Sequence, residues 1–78
     1  MTTYRLTHLP SGEAHTIEAD NALELLIGIA GTPFVTTYPD MSVPVRPLFS
    51  TRNHLVERIS AGDACVERGN WHLEEARA

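Results

Sequence analysis

Lysine is absent from this 78-residue chain, and every basic residue other than histidine is one of six arginines. That bias fits a GC-rich genome, and it also suits the rigid guanidinium fork used at interfaces. A single cysteine, Cys65, has no partner for an internal disulfide, so the core alone must hold the fold and the expected setting is a reducing cytoplasm. Long apolar runs are missing as well. The greasiest stretch, Leu23 to Ala30, is far too short to span a bilayer, and the opening Met-Thr-Thr-Tyr-Arg has no basic region leading into an apolar one. Neither secretion nor membrane insertion is expected. An excess of positive charge is lacking too: the formal net charge is −4, whereas affinity won from phosphates needs a basic surface that releases counterions. Nucleic acid is therefore not expected as a direct ligand. No glycine loop ends in Lys-Ser or Lys-Thr, and no Gly-x-Ser-x-Gly elbow occurs. The expectation is a domain without catalysis and without a cofactor.

What is present suffices for one compact domain over residues 1–78, with 42% apolar residues and no repeat or low-complexity tract. A chain this short buries only roughly 60% of its surface, so its stability margin is thin. Thr3 to Leu9 and Glu13 to Ala19 alternate apolar and polar residues around Pro10-Ser11-Gly12, which predicts a β-hairpin. A two-residue loop at Ser11-Gly12 sets Leu6 opposite Ile17, Tyr4 opposite Ala19 and His8 opposite His15. A type I turn with a glycine bulge moves the register by one and sets Leu6 opposite Thr16. The first register is preferred, because it gathers the apolar residues on one face.

Asp20 is placed to cap a helix from Asn21 to about Ala30, stopped by Gly31 and Pro33, with Leu23, Leu25, Leu26, Ile27 and Ile29 pointing several ways, so that most of it should be covered. Phe34 to Tyr38, rich in β-branched and aromatic residues, reads as a strand. Pro39, Pro44 and Pro47 then enforce a loop. Ser50 or Thr51 can cap an amphipathic helix from Arg52 to Ala61 that carries Leu55, Val56 and Ile59 on one side. In the tail, Gly69-Asn70 favours a hairpin with Val66 opposite Leu73, whereas Leu-Glu-Glu-Ala-Arg-Ala favours a helix capped by Asn70; the hairpin is preferred. The order is about ββαβαββ. The expected class is α+β, an antiparallel sheet with both helices on one face.

Among chemically interesting groups, His8 and His15 would sit with Cβ atoms about 5 Å apart in the preferred register, close enough to share a zinc or copper ion. Completing such a site requires two further ligands, for which His54, His72 and Cys65 are the candidates. The plainer reading is an exposed hairpin end. Cys65 reads as a small, half-buried apolar side chain. Glu74 and Glu75 are adjacent, and on a strand they point to opposite faces, which excludes a glycosidase pair. For partner binding, Tyr38, Arg46, Phe49 and Trp71 flank irregular segments and form a candidate patch of the residue types that anchor interfaces. The alternative for Trp71 is that it closes the core of the last hairpin against Arg68. The ten carboxylates look scattered between arginines, with one continuous acidic edge at Glu18, Asp20 and Glu24.

The hairpin followed by Ile17-Glu18-Ala19-Asp20-Asn21-Ala22 and an apolar helix, in a very small acidic chain, resembles the small phage-encoded inhibitors of bacterial defence, anti-CRISPR proteins among them. The resemblance covers Tyr4 to Ala30 and lies in element order and the strand-to-helix junction. It implies a binder that occupies a surface of a host nucleoprotein complex without catalysis, and it carries over no site residues. The competing expectation is a bacterial or prophage accessory, assembly or antitoxin-like protein with one cognate partner, and a third is a metal-binding regulator through His8 and His15. Either a monomer or a homodimer is compatible with the sequence.

Overall fold

The computed structural model describes residues 2–38, 41 and 51–76. Four antiparallel strands, β1 (Thr2–His8), β2 (Ala14–Ala19), β3 (Cys65–Arg68) and β4 (Trp71–Glu75), form one sheet in the order β2-β1-β4-β3. Helices α1 (Ala22–Ala30), α2 (Phe34–Thr37) and α3 (Thr51–Ser60) are inserted between the two hairpins. The element order is therefore ββαααββ within the expected α+β class. α1 packs on β2 and α3, and α3 packs on β3 and β4, so the helices cover one face of the sheet.

The first hairpin adopts neither predicted register. Leu6 pairs with His15, Tyr4 with Ile17 and Thr2 with Ala19, two residues away from the preferred alignment. Proline is the reason. A two-residue loop would make Pro10 and Glu13 its closing pair, and Pro10 has no N–H to give. The loop instead opens to Leu9-Pro10-Ser11-Gly12: His8 N–H donates to the Glu13 carbonyl at 2.8 Å and Gly12 N–H to the His8 carbonyl at 2.8 Å. Gly12 closes it at φ +75°, in the left-handed region. A shift by two preserves which face each side chain takes, so Leu6, Ile17 and Ala19 still point into the core. The last hairpin takes the predicted register, Val66 opposite Leu73, around a two-residue Gly69-Asn70 turn with Gly69 at φ +59°.

Three further expectations change. The N-cap of α1 is Asn21 rather than Asp20: its side chain accepts the Glu24 N–H at 2.9 Å, while the Glu24 carboxylate accepts the Asp20 N–H at 2.6 Å. Phe34 to Tyr38 is not a strand. Pro33 already holds helical angles, and bonds from Thr36 and Thr37 to the Pro33 carbonyl and from Tyr38 to the Phe34 carbonyl close a short helix that drops Phe34 into the core. Cys65 is exposed, not half-buried. In the second half of the chain, α3 buries Leu55, Val56 and Ile59 as expected, with Thr51 inside the helix and Ser50 outside the described residues.

A single row of side chains, Val66, Leu73, Leu6 and His15, crosses all four strands on the helix-covered face. Around it the core gathers Ile17, Leu25, Ile29, Phe34, Met41, Leu55 and Trp71. Helix α1 comes close to the sheet because Gly28 carries no side chain: a Cβ there would collide with Cγ2 of Ile17. Gly28→Ala should therefore destabilise the domain by about 1–3 kcal/mol from overpacking, even though alanine is the better helix former by about 1 kcal/mol. Urea unfolding of the single variant and of the double variant with Ile17→Ala checks this: the penalty should shrink once the Ile17 methyl is gone.

Candidate functional site

Two of the predicted anchors turn inward. Trp71 is 1% exposed and lies at the centre of a ring cluster: Phe34 meets it edge-on at 4.9 Å, Tyr38 at 5.3 Å, and His8 tilts against it at 4.8 Å. Its strand partner is Arg68, as the core-closing alternative has it. Tyr38 is half-buried and stacks on His8 at 4.0 Å. A buried indole cannot anchor a surface patch, so Trp71 leaves the partner-binding set. Arg46 and Phe49 lie outside the described residues. Truncating Trp71 to alanine is expected to cost about 3–5 kcal/mol, a large share of a small domain's stability, and to show as a collapsed thermal transition.

The histidines do not form the predicted pair. His8 lies next to the loop with its Nδ1 2.8 Å from Ser11 Oγ, while His15, one row along, reaches Glu13 at 3.1 Å and meets Phe34 edge-on. Ser11 Oγ also accepts the Glu13 N–H at 3.2 Å and lies 3.4 Å from the His8 carbonyl, so its hydrogen-bonding capacity goes into closing the loop. Among the described residues no three metal-ligating side chains converge. Two open recesses of about 300 and 290 Å³ flank Ile59. Of the carboxylates beside them, Asp63 is held by Arg58 at 3.0 Å. Neither recess gathers convergent polar groups of the kind that orient a small ligand.

The uncovered face of the sheet carries Thr3, Arg5, Thr7, Thr16, Glu18, Cys65, Glu67, His72 and Glu74, by strict alternation against the buried residues. Arg5 lies 3.5 Å from Glu74 and His72 reaches Glu67 at 3.0 Å across strands, while His72 also lies 3.5 Å from Glu74 on its own strand. Exposed pairs of this kind contribute about 0–1 kcal/mol each. This face is a polar surface, with one arginine and three glutamates.

Helix α1 presents the opposite case. Leu25 and Ile29 are buried and Leu26 is partly buried, but Leu23 is 66% and Ile27 62% exposed, against the expectation that most of the helix is covered. The two are four residues apart and form one stripe with Glu24 and Ala30. A helix with apolar residues on several sides is normally enclosed on several sides, and among the described residues there is one sheet and one other helix of similar length, α3, to lay against it. That mismatch is the sequence signal for an uncovered stripe.

Charge reinforces it. No lysine or arginine occurs between Arg5 and Arg46, whereas that interval holds Glu13, Glu18, Asp20, Glu24 and Asp40. From residue 46 onward five arginines balance five carboxylates, so the net charge of −4 belongs to the first half of the chain. The acids that look scattered in sequence are thus concentrated on β2, its turn and α1. Within this group the predicted edge is split: Glu18 projects from β2 on the open sheet face, while Asp20 and Glu24 sit at the start of α1 on the helix side.

No protein-family model, no curated protein and no solved structure matches this chain. Among the described residues no helix is long and apolar enough to cross a membrane.

Glu24 has two separable duties, cap and surface charge. Glu24→Gln keeps an acceptor for the Asp20 N–H and should leave the thermal midpoint unchanged, whereas Glu24→Ala should lower it. Differential scanning fluorimetry of the two variants separates the duties.

Proposed function

We infer that this chain is a non-catalytic protein-binding inhibitor of the anti-CRISPR-like kind, docking through the outer face of α1 on a basic surface of a bacterial nucleoprotein defence complex. The observation that carries this reading is the exposure of Leu23 and Ile27 within the half of the chain that holds all of its net charge. Two large aliphatic side chains left in water gain about 25 cal/mol per Å² when a partner covers them. The carboxylates around them select what that partner is. A membrane-lying helix flanks its apolar stripe with lysine and arginine to meet anionic lipid, and this one is flanked by Asp20 and Glu24. Acidic rims instead favour an arginine- or lysine-lined protein surface, which steers encounter and rejects like-charged partners. Surfaces that hold nucleic acid are of that kind, and a protein seated there competes with the nucleic acid sterically.

Affinity capture with the tagged protein from a bacterial lysate containing an active CRISPR surveillance complex tests the reading. Stoichiometric recovery of that complex by the native chain, and its loss with Leu23→Ser combined with Ile27→Ser, is the expected result. The double variant should keep the native thermal midpoint, because both side chains are already solvated. Recovery of a different single partner through the same two residues assigns the accessory or antitoxin-like role instead. Equal recovery by native and variant chains removes α1 from the interface.

A further inference from the structure

We propose that the outer edge of β2 receives an extended, basic segment of the partner by strand addition, beside the α1 stripe; this rests on the docking reading above and specifies its geometry. β2 is an edge strand. Its backbone polarity follows from its neighbours: Ala76 N–H donates to the Thr3 carbonyl and Leu9 N–H to the Asn70 carbonyl, so the odd-numbered residues of β1 face β4. The even-numbered residues then face β2, where they meet His15, Ile17 and Ala19. Ala14, Thr16 and Glu18 consequently turn their N–H and C=O groups outward, and among the described residues nothing pairs with them. Such a row is a template for one more strand.

The surroundings of this edge define the occupant. Gly28 seats α1 directly over Ile17 of β2, so the helix lies along the edge strand, with Glu24 and Ile27 beside Gly28 on the side away from the core. Glu13 and Glu18 stand on the strand and its turn, Asp20 at its end, and no arginine lies on either element. A segment laid beside β2 alternates its side chains above and below the sheet. Residues on the helix side meet Glu24 and Ile27, and those on the other side meet Glu18 and Thr16. Alternating arginine and aliphatic residues satisfy both rows. A second copy of this chain does not, since it would bring four more carboxylates to the same edge.

The probe is a synthetic peptide of alternating arginine and valine, compared with the same peptide N-methylated at every second amide, which retains charge and side chains but cannot extend the ladder. Thr16→Pro is the matching protein variant. It deletes an outward N–H on an edge strand, where proline is tolerated, and leaves the bonds to β1 intact. The expected result is slowed hydrogen exchange at the Thr16 and Glu18 amides on peptide binding, with affinity reduced about tenfold by methylation and by Thr16→Pro, as for the loss of one or two hydrogen bonds. Peptide binding that responds to Leu23→Ser and Ile27→Ser but not to methylation overturns strand addition and leaves α1 docking standing. Absence of binding to the peptide overturns the basic occupant. A dimer of the free protein in sedimentation, dissolved by Thr16→Pro, gives the edge to a second copy and also overturns the proposal. Should Thr16→Pro fail to fold, the methylated peptide decides alone.

Discussion

The pairing of β1 with β4 is the contact on which everything else depends. It joins residues near the two ends of the chain, Leu6 to Leu73 and His8 to Trp71, and turns two local hairpins into one four-stranded sheet. An isolated two-stranded hairpin is marginal in water, and three or more strands with an apolar face are needed for independent stability. Once the hairpins are joined, the row from Val66 to His15 gives the helices a continuous surface, and Trp71 becomes the keystone of the ring cluster beneath α2. The sheet order also fixes its exposed margins. With β1 and β4 in the middle, the edges are β2 and β3, and α1 must lie over one of them.

From that position follows the incomplete burial of α1. The helix has apolar residues on several sides, and only one of them meets the sheet. Leu25 and Ile29 take the core, Leu26 turns part-way in, and Leu23 and Ile27 are left over. Gly28 draws the helix close to Ile17, which improves packing below and does nothing for the stripe above. Solvation of those two side chains is thus a consequence of the fold's small size.

Local chemistry was readable in the sequence wherever one residue decides the backbone. Gly69-Asn70 specified a two-residue turn and hence the Val66–Leu73 register, and Gly31 marked the end of α1. Pro10 acts in two ways: as a turn former it suits the hairpin loop, and as an absent ladder donor it moves the register by two. The β-branched run at Phe34 to Thr37 read as a strand, yet the burial of Phe34 beside Trp71, a contact made across more than thirty positions, selected a helical turn. The β1–β4 pairing has no local signature at all, since loop closure over such a span rewards only the finished sheet. Of the candidate site, the acidic residues were visible individually. Part of their concentration was visible too, as the edge Glu18, Asp20 and Glu24, but a count along the whole chain mixes a balanced second half with an unbalanced first half.

That concentration bears on self-association. An edge strand left bare invites a second copy, and proteins commonly deter this with charge at the edge. Here the charge at the edge is acidic, with Glu18 on β2, Glu13 in its turn, Asp20 at its end and Glu24 on α1. The same four carboxylates that oppose a second copy attract a basic surface. Apart from Arg5, every arginine of the chain stands at residue 46 or beyond. On the docking reading proposed above, one distribution of charge would do two things at once: oppose a second copy at the uncovered apolar stripe and favour a partner of opposite sign there.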